Sequence, residues 1–301
     1  LQSRGLGDVY KRQIMDTGTG GANKMFAKGY NLESANQADW TKLIDYYFQS
    51  ETGIGALDAS VKEASAILGT PRQKRQIVIS IPEPIVYQHP EQASSSTKYW
   101  GKIDNQTLDF SNSADRIKAC KWYIDQVRAK FNEKNYQHVE LAGFYWLAEK
   151  ATDTRDILNA VAIYLNKLKY SFNWIPYYGA DGYNQWKSLG FNYAYFQPNY
   201  FFNESVPDSR LEDACQKALT YDMHMELEFD DNALNSRGKA YRLKNYMSAF
   251  KKHGIWEKKR LAYYQGSASL LTLKKSGNAA DTQLYHEFCN FVISRPIRSS
   301  H

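Results

Sequence analysis

The sequence predicts an α/β protein: a parallel sheet closed as a (β/α)8 barrel of the TIM type, with its first strand missing. Three observations predict it. Short apolar or β-branched runs alternate with amphipathic stretches along most of the chain, as parallel strands joined by helical crossovers require. The 301 residues suffice for one such barrel, and no apolar run approaches the roughly 20 residues that span a bilayer. No G-x-G-x-x-G turn follows any strand, which disfavours an open dinucleotide-binding sheet.

The elements follow in chain order. Asp8-Val9-Tyr10-Lys11-Arg12-Gln13 reads as a translated sequencing adapter, so residues 1–13 are set aside and the native start is expected upstream. Ile14-Met15-Asp16 is read as the end of a further strand, with helices near Trp40–Phe48 and Leu57–Leu68. Gln76–Ile81 is a β-branched strand stopped by Pro82 and Pro84. A long loop through Ser94-Ser95-Ser96 and Trp100 leads to a helix from Ser113, where Ile117, Cys120, Ile124, Val127 and Phe131 recur at helical spacing.

Val139–Trp146 is the next buried strand, and Asp153 or Thr154 caps a helix with Ile157, Val161, Leu165 and Leu168 on one face. Phe172–Tyr178 is a strand, followed by a short helical stretch at Trp186 and a strand over Asn192–Gln197. A helix from Asp208 or Ser209 through Leu219 precedes the strand Met223–Phe229. The last elements are a helix over Ser236–Lys252, a strand over Arg260–Gln265 and a helix over Ala279–Ile293. Residues 14–296 are expected to form one barrel domain, with 297–301 as a tail.

Composition narrows the chemistry. Lys plus Arg number 38 and Asp plus Glu 32, a mild net charge of +6, and the basic clusters Arg72–Arg75 and Lys251–Arg260 read as solvated faces, so no nucleic-acid partner is expected. Cys120, Cys215 and Cys289 are odd in number and lack metal-ligand spacing, which makes them free, buried thiols. Aromatic residues reach 15% of the chain. Clustered at strand ends, they suggest a stacking surface for sugar rings.

Carboxylates at strand ends carry the expected chemistry. Along Met223–Asp230, strand parity puts Met223, Met225, Leu227 and Phe229 on one face and His224, Glu226, Glu228 and Asp230 on the other. Facing inward in a barrel, these acids are costly unless paired or used. Glu149, just past the strand Val139–Trp146, is the second candidate. Two such acids are what glycoside hydrolysis needs: one protonated to serve the leaving oxygen, one ionised to attack or to activate water. Trp146, Trp174, Tyr177, Tyr178, Gln197, Asn199, Tyr200, Tyr264 and Gln265 supply aromatic faces and hydrogen-bonding groups beside them. A metal site of His224, Glu226, Glu228 and Asp230 has no second ligand cluster to support it, so no metal or other cofactor is expected. His138 and His224 read as structural.

The segments Leu141–Trp146 with Glu149, Phe172–Tyr178, Gln197–Tyr200 and Glu226–Asp230, in that order, resemble the bacterial family catalogued as domain of unknown function 4855, over about Ile14 to Pro296. The resemblance implies a barrel related to glycoside hydrolases, in secreted, periplasmic or surface-anchored proteins that meet poly- or oligosaccharides. On motif position, Glu149 is expected to be the general acid and Glu228 the nucleophile or base, with Glu226 as substitute in that second role. Asp230, Asn199, Tyr177 and Tyr264 would orient substrate. The competing expectation is a glycan-binding barrel without catalysis.

Overall fold

The computed structural model describes residues 8–9, 24–29, 32–71, 73–266 and 268–296. The expected strand end Ile14–Asp16, Arg72 and the tail 297–301 lie outside them. The fold is mixed α/β with parallel main strands, and the chain divides into two compact units. One, the amino-terminal unit, is Gly7–Asn173 together with Lys187–Asn192. The other, the carboxy-terminal unit, is Trp174–Trp186 and the chain from Tyr193 onward.

The amino-terminal unit opens with three two-residue strands, β1 (Asp8–Val9), β2 (Lys24–Met25) and β3 (Glu33–Ser34). β1 runs parallel to β4 (Arg75–Ile81), pairing Asp8 with Ile77, so two residues of the segment set aside as adapter lie along that strand. Between them come α1 (Gln37–Tyr47) and α2 (Ile54–Leu68). Asn36 and Asp39 form a reciprocal capping box on α1, whose Trp40, Leu43, Ile44 and Tyr47 repeat at helical spacing and are buried. The Tyr47 hydroxyl shares a hydrogen bond of 2.6 Å with Ser80 Oγ, tying α1 to β4.

Where the sequence predicts only a long loop after β4, a hairpin of β5 (Lys102–Ile103) and β6 (Gln106–Thr107) forms. Asp104 and Asn105 turn it at φ 51° and 64°, the left-handed pair that a two-residue hairpin turn demands. α3 (Ser113–Lys134), β7 (Val139–Trp146), α4 (Arg155–Lys167) and β8 (Ser171–Trp174) follow as expected, except that β8 stops early. Pro176 has no N–H to extend the ladder, so strand pairing gives way to an isolated bridge between Tyr177 and Gln197. β4 and β7 pair from Arg75–Val139 to Ile81–Trp146, and the register slips at Ala142.

The carboxy-terminal unit carries β9 (Tyr193–Phe196), α5 (Ser209–Thr220), β10 (His224–Glu228), α6 (Ala240–Lys252), α7 (Ile255–Lys258), β11 (Leu261–Tyr264), α8 (Ser269–Lys275) and α9 (Ala279–Ile293). β10 lies between β9 and β11, parallel to both, with Glu226 beside Ala262 and Glu228 beside Tyr264. Leu211, Ala214, Cys215 and Ala218 of α5 and Leu243, Tyr246, Met247 and Phe250 of α6 are the buried stripes of their helices. The short α7 and α8 escaped the sequence reading because neither is long enough to show a period. All three cysteines are free and buried, and no helix among the described residues is long and apolar enough to cross a membrane.

Candidate functional site

β10 is apolar and buried at Met225 and Leu227, and its other parity carries acids at its C-terminal end. Glu226 and Glu228 are 2% and 3% exposed. The Tyr246 hydroxyl, from α6, donates to Glu228 Oε2 at 2.8 Å, and the Asn199 backbone N–H donates to the same oxygen at 2.9 Å. Asn199 makes that bond from a left-handed backbone, φ 49°, just past Pro198. Burial, with the Glu228 charge next in weight and that of Glu226 adding to it, pushes the Tyr246 phenol well above its ordinary value, so it stays a donor.

The other expected residues of this unit divide by what already holds them. Tyr200 is buried, its hydroxyl bonded to Asp208 and Asn245 and its ring 3.7 Å under the Arg242 guanidinium. Arg242 also donates to the backbone carbonyls of Tyr200, Asn203 and Val206, which shapes the loop after β9. Tyr178 donates to Asp213, accepts from Lys217 at 3.2 Å and lies 3.8 Å under Arg210. Trp174 is fully buried, and the Gln197 amide donates to Ile175 O at 2.7 Å. Asp230 caps the short 3-10 turn that follows it, accepting from Asn232 N at 2.8 Å. Gln265 accepts from Leu270 N at 3.3 Å. Tyr177 and Tyr264 are half-buried, the latter edge-on to Phe202 at 6.0 Å. His224 accepts from Arg260 N at 3.3 Å and lies by Tyr195, as a structural histidine would.

In the amino-terminal unit Trp146 is 1% exposed, edge-on to Phe172, and its indole N–H has no hydrogen-bond partner among the described residues. Glu149 is half-buried in the turn after β7. The sequence reading missed Glu83. It follows β4 between Pro82 and Pro84, is 5% exposed, and accepts the Lys28 backbone N–H on Oε2 at 2.6 Å. Burial drives its pKa up to about 7, with the Asp153 charge adding to the rise and the Lys28 bond, Lys28 and Lys150 opposing it. The available signal was an acid clamped between two prolines directly past a strand. Among the described residues no group of three or more His, Cys, Asp or Glu side chains is placed to hold a metal ion.

Parallel strands with buried carboxyls at or just past their carboxyl ends mark the class, that of parallel α/β proteins. Residues 16–290 match the model of the Domain of unknown function (DUF4855), and the chain belongs to that family. No curated protein matches it. Among solved structures, a family 18 chitinase from Crocus vernus is similar at 12% identity, over 82% of this chain and 80% of that one, with a TM-score of 0.43. A triazine hydrolase from Arthobacter aurescens is 13% identical over 88% of this chain and 66% of its own, TM-score 0.34. Atrazine chlorohydrolase TrzN from Arthrobacter aurescens TC1, complexed with zinc, is 13% identical over 85% and 62%, TM-score 0.32.

Proposed function

We propose that the protein is a glycoside hydrolase-like barrel protein that cleaves a glycosidic bond in a poly- or oligosaccharide with strand-end carboxyl groups. The observation that supports this best is the pair Glu226 and Glu228, both enclosed at the end of one parallel strand, with Glu228 held by two donors on one oxygen. Enclosing a carboxylate costs several kcal/mol, and here two stand within three residues. A phenol and a backbone amide both donate to that oxygen of Glu228 and aim it.

In this reading Glu228 is the nucleophile or base and Glu226 its neighbour on the same strand face. Glu228 attacks the anomeric carbon or takes a proton from water. For the binding-only alternative, Trp146, Trp174 and Tyr200 are buried and Tyr178 packs against Arg210, Lys217 and Phe196, while Tyr177 and Tyr264 are half-buried. A panel of polysaccharides assayed with the wild type and Glu228→Gln tests the assignment. The variant is expected to lose at least about a hundredfold in kcat on any glycan the wild type cleaves. Unchanged hydrolysis would remove it.

A further inference from the structure

We infer that Phe202 is a stacking platform for a pyranose ring of the glycan, with Tyr264 beside it and Glu204 and Tyr241 at its polar edge. This deepens the reading above and rests on it for the substrate class. Every residue involved belongs to the carboxy-terminal unit.

Phe202 is 42% exposed, next to a Phe201 that is fully buried. One ring anchors the loop after β9, and its neighbour is turned out to solvent. Leaving a phenyl ring in water forgoes roughly 25 cal/mol for each Å² that burial would remove from it. The loop is tied too well to let the ring fold away. Arg242, itself buried, donates to the carbonyls of Tyr200, Asn203 and Val206, on both sides of Phe202. Lys239 Nζ donates to the Phe202 carbonyl at 2.9 Å. An aromatic face held out on a fixed backbone loses little freedom when a ligand covers it, which is the condition for a binding platform.

Two contacts place that ring near the strand end that carries Glu228. The Phe202 ring is edge-on to Tyr264, centroids 6.0 Å apart at 77°, and Tyr264 pairs in register with Glu228. Asn199, three residues before Phe202, gives the backbone N–H that holds Glu228 Oε2. The same loop therefore aims the carboxylate and presents the ring.

The groups around the ring suit a sugar better than a purely apolar ligand. Glu204 is exposed, accepts from the Tyr241 hydroxyl at 3.3 Å and lies 4.0 Å from Lys239 Nζ. Tyr241 is itself 44% exposed. A pyranose offers both halves of what this cluster binds: C–H groups for the ring face, and hydroxyls for a carboxylate acceptor and a phenol.

The test measures how the wild type, Phe202→Ala, Phe202→Leu and Phe202→Trp are retarded in native gels cast with hydroxyethyl cellulose, laminarin, xylan or glycol chitin. At least one of these polysaccharides is expected to retard the wild type. On it, Phe202→Ala and Phe202→Leu are expected to weaken Kd by about tenfold or more, and Phe202→Trp to stay within about threefold of wild type. Leucine keeps an apolar side chain but has no ring face, so its failure beside the recovery in tryptophan reports stacking and shows that the loop still folds. Wild-type affinity in Phe202→Ala, equal affinity in the leucine and tryptophan variants, or no retardation of the wild type by any of the polysaccharides overturns the inference. Sedimentation checks the other use of an exposed ring: a wild-type dimer that dissociates in Phe202→Ala would assign Phe202 to a contact between copies of the chain and overturn the platform. Hydrolysis is read separately. A glycan cleaved by Phe202→Ala at unchanged KM removes this inference and leaves the functional reading, whereas Phe202-dependent binding without cleavage removes the catalytic reading and leaves the platform.

Discussion

Glu228 and Glu83 acquire their chemistry in opposite ways. Glu228 is held by neutral donors, and the raised Tyr246 phenol guarantees that its bond runs from tyrosine to carboxylate. Removing that donor leaves a buried carboxylate oxygen one bond short. Tyr246→Phe is expected to lower stability by about 1–3 kcal/mol, read from the urea midpoint, and to cut kcat by roughly tenfold with KM little changed. A shift in KM alone would count against a positioning role for Tyr246. The alternation that marked Glu226 and Glu228 was plain in the sequence, since parity along a strand is a local property. Their donors were not, because Tyr246 lies 18 residues and Asn199 29 residues away along the chain.

At the scale of elements, the pairing of β4 and β7 turns on one glycine. The register slips between Ile77–Leu141 and Val78–Gly143, leaving Ala142 as the extra residue of a bulge. A Cβ on Gly143 would come within 2.1 Å of Ser171 Oγ and 2.5 Å of Ser171 O, so only glycine allows β8 to approach here. Gly143→Ala is expected to destabilise the protein by about 1–3 kcal/mol, seen as a lower thermal midpoint, and Ser171→Ala is not expected to recover all of it because a backbone oxygen remains in the way. The sequence showed Val139–Trp146 as a continuous apolar run and hid the bulge. A bulge is defined by what the partner strand does, and the residue pattern of one strand holds no record of it. The β5–β6 hairpin is the converse case: its Asp104-Asn105 turn is a local signal, but its strands are two residues each, too short to show alternation.

For the molecule as a whole, Glu83 couples folding to pH. In the unfolded chain its carboxyl ionises near the ordinary 4.5, and in the folded protein it keeps its proton to about 7. Between those values the folded state binds more protons, so this group's contribution to stability is complete below about 4.5 and is lost as pH rises through about 7. The shift corresponds to on the order of 3 kcal/mol. Urea midpoints measured across this range should fall with rising pH in the wild type and run flatter in Glu83→Gln; parallel curves would show that Glu83 does not carry the proton.

The order of strands and helices and the placing of acids at strand ends could be read directly, because periodicity, caps and proline stops act between neighbours along the chain. Membership of the family likewise followed from motifs in linear order. Tertiary structure alone decided which acid would keep a proton, which tyrosine would serve Glu228, and which rings were spoken for by arginine and lysine. Desolvation and hydrogen bonding depend on what surrounds a group in space, and Lys28, Asp153 and Tyr246 reach their carboxyls from distant stretches of sequence.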